Sequence, residues 1–94
     1  VIYSRDSNQP AIVAALRQVG AHVIVMTQAR RHELHCDLVV LAGGKVYFME
    51  VKRPGHENEL TPAERQFALD AAVRGVNVYV PTCVEDALKV IGVI

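Results

Sequence analysis

An α/β layer fold, a mixed sheet covered by helices, is the architecture this chain predicts. Three observations carry it. Helical and strand patterns alternate in the order αβββαβα, a Gly-Gly pair splits two apolar runs into a hairpin, and capping-box patterns mark helix starts.

Residues 7–19 read as the first helix. Asp6, Ser7 or Asn8 supplies the cap, Pro10 suits the first turn, Ile12, Leu16 and Val19 share one face, and Gly20 ends it. "HVIVMT" is the first strand and "RRHELH" a polar connection. "CDLVVLA" and "KVYFMEVK" are two further strands around Gly43-Gly44. "RPGHENEL" is a loop of turn residues. Residues 61–75 form a helix with Thr61 as N-cap, Pro62 in first position, Glu64 closing a capping box and Gly75 as terminator. "VNVYV" is a fourth strand. Thr82 and Glu85 repeat the capping-box pattern and open a short helix through Leu88 and Ile91.

The 94 residues make one domain, 1–94, with one modest core. Hydrophobic residues are 51% of the chain, which argues against disorder. Ten basic residues balance ten acidic ones, so any nucleic-acid site must be local rather than global. Cys36 and Cys83 have neither zinc spacing nor a disulfide framework, and a reduced, cytoplasmic protein is expected. No signal peptide or membrane-length apolar run is present, and the start at Val1 suggests a trimmed initiator or short leader.

The hairpin register places the charges. With Gly43-Gly44 at the tip, facing residue numbers sum to 87, so Ala42 meets Lys45 and Asp37 meets Glu50. Facing Cβ atoms lie about 4.5–5.5 Å apart. Lys52, two residues beyond Glu50, falls on the same face, opposite His35. The other face carries Leu38, Val40, Tyr47 and Met49, an apolar layer.

Facing carboxylates repel unless something lies between them. Either one carboxyl holds a proton, or a divalent cation bridges the two; oxygen donors suit Mg²⁺ or Mn²⁺. A lysine beside such a pair makes an arrangement suited to phosphodiester hydrolysis, because a metal activates water and an ammonium stabilises developing charge. The plainer alternative is that an Asp and a Glu-x-Lys simply sit at solvated strand ends.

These residues resemble a family. An Asp, a hairpin and then Glu-x-Lys, in an αβββαβ order, look like the core of the PD-(D/E)xK nucleases, the restriction-endonuclease-like fold. "EVKRPG" followed by "LTPAERQF", with "RDSNQPAIVAALRQVGAHV" ahead of them, is similar to the VRR-NUC domain of small phage nucleases. The resemblance covers nearly the whole chain. It implies Asp37 and Glu50 as metal ligands, the Val51 backbone carbonyl as a further ligand, Lys52 as catalytic lysine, and Gln66 as a helix residue reaching the site. It also implies Mg²⁺ or Mn²⁺ as cofactor.

Two departures stand out. Cys36 replaces a proline usual before the Asp, and its place on the opposite face marks it as a small core residue. The first helix has no Glu to approach the metal; of the polar residues at its start, Asp6, Asn8 and Gln9, Asp6 is expected as an outer metal contact. His32, Glu33, His35 and Asp37 form a competing zinc candidate, though their spacing fits no helical His-Glu-x-x-His site. Arg30, Arg31, His35 and Arg53 are candidates for phosphate contact, while Glu57 and Glu59 would repel DNA if they faced the cleft.

The expectation is a metal-dependent DNA endonuclease. With no base-reading module, it would select branched or four-way DNA by shape, as a homodimer similar to Holliday junction resolvases, within a bacterium or a phage-infected host cell. The apolar ends "VIY" and "VIGVI" are candidate dimer contacts. Alternatives are a restriction-type nuclease targeted by a partner, and a catalytically idle domain that binds nucleic acid or protein.

Overall fold

A computed structural model describes residues 8–27 and 33–94. The elements are α1 (Gln9–Gln18), β1 (His22–Val25), β2 (Leu38–Ala42), β3 (Lys45–Met49), α2 (Pro62–Ala72), β4 (Val78–Tyr79) and α3 (Val84–Val90), in the predicted order. They build one four-stranded sheet in the order β1-β2-β3-β4. The first three strands are antiparallel neighbours, and β4 joins β3 in parallel, so the sheet is mixed. This is an α/β, restriction-endonuclease-like core.

The β2–β3 hairpin turns where Gly43 and Gly44 adopt φ of 57° and 77°. A two-residue turn matched to strand twist needs positive φ at both positions, which side chains with a Cβ resist. The register is the predicted one, from Ala42↔Lys45 to Leu38↔Met49. One face of the sheet is packed by α1 and α3, and its core comprises Ile12, Leu16, Val23, Leu38, Val40, Met49, Val51 and Ala87. On the opposite pleat, Phe48 meets Phe67 of α2 edge to face, with ring centres 5.9 Å apart. Helix α2 therefore lies over the face that carries the predicted charges.

Three local expectations are corrected. Val19 is 45% exposed, because the helix ends at Gln18 and Val19 leaves the apolar stripe; Val13 is buried in its stead. Asn8 occupies the N-cap position of α1 without capping it. Its Nδ2 instead donates to the carbonyls of Lys52 at 2.9 Å and Thr82 at 2.7 Å, pinning the start of α1 to the end of the hairpin. Helix α3 is capped by Cys83, whose sulfur accepts the Asp86 N–H. Asp86 reaches back to the N–H and hydroxyl of Thr82, leaving Glu85 to pair with Lys89. Neither cysteine is in a disulfide; Cys36 is buried and Cys83 exposed. No helix among the described residues is long and apolar enough to cross a membrane.

Candidate active site

Asp37 immediately precedes β2 and Glu50 immediately follows β3. Beyond the regular ladder the backbone stays anchored. Asp37 N–H donates to the Met49 carbonyl at 3.0 Å, Glu50 N–H to Tyr79 at 2.8 Å and Lys52 N–H to Pro81 at 3.3 Å. Backbone pairing therefore continues past the regular ladder at the open end of the hairpin. The Asp37 carboxylate accepts the Val51 N–H at 2.8 Å, which fixes it across the strand beside Glu50.

The four charged residues here are as buried as the apolar core: Asp37 is 4% exposed, Glu50 1%, Lys52 3% and Glu64 4%. Buried charges persist only when paired and hydrogen-bonded. Lys52 Nζ lies 3.1 Å from Glu64 Oε1 and 3.5 Å from Glu50 Oε2. Glu64 Oε1 also accepts the Thr61 N–H at 2.9 Å, and Thr61 Oγ1 accepts the Glu64 N–H at 3.2 Å. The capping box that starts α2 is thus continuous with the charged cluster.

Electrostatics separate the two glutamates. Burial, the hydrogen bond to Glu64 and repulsion by Asp37 and Glu64 push the Glu50 carboxyl up to about 9. Glu64 goes the other way. Burial opposes its charge, but hydrogen bonds from Glu50, from the Thr61 backbone and from Lys52 hold it at about 2. The protein alone therefore resolves the crowded acids by keeping a proton on Glu50.

A divalent cation fits the same place. Asp37 and Glu50 offer hard oxygen donors, and three buried carboxylates outnumber the one ammonium of Lys52 among the described residues. A cation would substitute for the proton on Glu50. Among the described residues, no three His, Cys, Asp or Glu side chains are grouped to hold a metal. The candidate set is accordingly two carboxylates, the Val51 carbonyl and water. The same observation gives no support to zinc at Glu33, His35 and Asp37; His32 lies outside the described residues.

The remaining predicted residues divide. Gln66 is not in the cluster: it is exposed, and its side chain donates to Asp70 at 2.9 Å. It lines a shallow depression with Glu33, the half-buried His35 and Phe67. Arg53 is half-buried directly after Lys52. Asp6, Arg30 and Arg31 lie outside the described residues. Glu57 and Glu59 are exposed and engaged locally, Glu57 with Gly55 N–H and Glu59 with His56. Glu64 is the residue that the sequence reading assigned only a capping role.

No family model matches the chain, and no curated protein matches it. Among solved structures, a chain described as "VRR_NUC domain" superposes with a TM-score of 0.70 and 24% sequence identity, over 93% of this chain and 92% of that one. That likeness spans nearly the whole of both chains. The chain has the fold of a VRR_NUC domain.

Proposed function

We propose that this protein is a metal-dependent nuclease that hydrolyses phosphodiester bonds in DNA. The observation that carries the reading is the set of buried acids around Lys52 at the end of an apolar hairpin, in a chain with the VRR_NUC fold. A site built for stability alone would fill these positions with apolar side chains, since burying ions costs several kcal/mol each, an order-of-magnitude figure, unless they are fully compensated.

Asp37, Glu50 and the Val51 carbonyl would hold Mg²⁺ or Mn²⁺, which when bound polarises a phosphoryl oxygen and lowers the pKa of bound water. Lys52 presents its ammonium beside Glu50, where it orients the attacking water or stabilises charge developing on the phosphate. Burial of the cluster limits bulk water and strengthens both interactions. Arg53, with Arg30, Arg31 and His35, supplies phosphate contacts that a net charge of zero conceals.

The substrate we propose is branched DNA, cut by a homodimer inside a bacterium or a phage-infected host cell. One site cuts one strand, and two symmetric nicks need two sites related by a two-fold axis. Val93 and Ile94, 47% and 60% exposed, offer apolar surface for such a contact. Incubation with labelled linear, flapped and four-way DNA in Mg²⁺, Mn²⁺ or EDTA tests the reading. Cutting of the branched substrates that EDTA abolishes is expected. An intact four-way junction with the other substrates cut would remove junction selectivity, and no cutting in either metal would remove the nuclease. Sedimentation with and without the junction tests the dimer, and a strict monomer in both would exclude it.

A further inference from the structure

The Lys52 ammonium is the one buried cation among the described residues, and a lysine carries four flexible carbons between backbone and charge. Something must fix its tip. Glu50 lies 3.5 Å away, at the long end for an ion pair. Glu64 lies closer, at 3.1 Å, and its geometry is better defined. Its backbone is fixed as the third residue of α2, its side chain is fixed by the Thr61 N–H, and the oxygen that accepts that N–H also accepts Lys52. Lysine, glutamate and helix start therefore share one atom. The loop from Arg53 to Leu60 separates Lys52 from α2 in sequence, and this contact closes it.

We propose that Glu64 is a positioning residue for Lys52: it holds the ammonium next to Glu50 through a carboxylate oxygen that the Thr61 backbone N–H fixes. The assignment rests on the nuclease reading for its catalytic consequence. It rests on the geometry alone for the placement of the lysine.

Three variants separate this role from helix capping. Thr61→Ala removes the hydroxyl that accepts the Glu64 N–H but leaves the Thr61 N–H and Lys52 untouched. Glu64→Gln keeps an oxygen acceptor for both donors and loses the charge. Glu64→Ala loses both contacts. Each is followed by kcat and KM on Mn²⁺-supported DNA cleavage, and by the ¹⁵N signal of the Lys52 Nζ in isotopically labelled protein. Glu64→Ala should lower kcat by about 100-fold with little change in KM, as expected when a reacting group is misplaced by about 1 Å. It should also shift or broaden the Lys52 signal. Glu64→Gln should restore much of the rate and a sharp signal, and it keeps the test informative if the alanine variant fails to fold. Thr61→Ala should lower thermal stability while leaving kcat and the Lys52 signal at parental values.

If the parent cuts DNA and Glu64→Ala cuts equally well, or if Thr61→Ala loses as much activity as Glu64→Ala, the positioning role is overturned while the nuclease reading stands. If the parent does not cut, the nuclease reading fails, and the Lys52 signal decides the remainder. A shift in Glu64→Ala alone supports the placement role, and an unchanged signal overturns it too.

Discussion

The open end of the β2–β3 hairpin buries two clusters, one on each face, to the same degree by opposite chemistry. Toward α1 and α3, Leu38, Val40 and Met49 have no exposed surface. Toward α2, Asp37, Glu50, Lys52 and Glu64 are 4% exposed or less. The apolar face gains free energy from burial, at roughly 25 cal/mol per Å² removed from water. The charged face costs free energy wherever an ion is buried without full compensation. The fold thus divides its labour: one face stabilises the sheet, and the other holds charges in place at the first face's expense. The difference is testable because substitutions on the two faces should act on different observables.

The largest effect should come from the metal ligands. Glu50→Ala or Asp37→Asn should reduce Mg²⁺-dependent DNA cleavage below detection, measured in single-turnover assays, while the metal-free protein stays folded. Parental cleavage by Glu50→Ala would remove the nuclease reading and favour a binding domain. Lys52→Ala should follow, with kcat lowered about 10²–10³-fold by loss of a positioned charge. Its Mn²⁺ affinity should change far less, because the lysine is no metal ligand.

On the apolar face the pattern should invert. Leu16→Ala empties a site with no exposed surface. It should cost about 2–5 kcal/mol in urea unfolding, with cleavage per folded molecule unchanged.

A separate effect should appear in the pH dependence of stability. The Glu50 carboxyl sits at about 9 in the folded chain against an ordinary 4.5. Between those values the folded chain keeps a proton that the unfolded chain has released, so stability falls as pH rises across that window. Glu64, held at about 2, adds stability that is present above 4.5 and lost as pH falls toward 2. The metal-free melting temperature should therefore peak near pH 5, at a rough estimate, and decline toward pH 9. Glu50→Gln should flatten the alkaline limb. A melting temperature independent of pH from 5 to 9 in the parent would contradict the burial of a protonated Glu50.

Much of this division was legible in the sequence, for physical reasons. The Gly43-Gly44 turn fixes register, and register fixes which side chains share a face, so the core layer and the neighbourhood of Asp37, Glu50 and Lys52 followed from counting. What local patterns do not contain is how α2 is rotated over the sheet. Glu64 and Gln66 are two residues apart, about 200° around a helix, and cannot both face the strands. The sequence reading put Gln66 inward by resemblance and explained Glu64 fully as a capping residue. In the structure Phe67 docks on Phe48, which turns Glu64, one helical turn back, onto Lys52 and leaves Gln66 outside with Asp70. The last helix hid its cap for a similar reason. Thr82 and Glu85 match the capping-box pattern, but Cys83 takes the cap and Thr82 bonds to Asp86.

Calorimetric titration of Mn²⁺ into the metal-free protein at pH 7, repeated in buffers of different ionisation enthalpy, tests the buried acid cluster most directly. It counts the protons released as the metal binds. Parental protein should bind and release about one proton per ion, as the metal takes the place of the proton on Glu50. Glu50→Ala should bind far more weakly and release none. No binding by the parent, or parental affinity and proton release in Glu50→Ala, would contradict a metal site at the end of this hairpin.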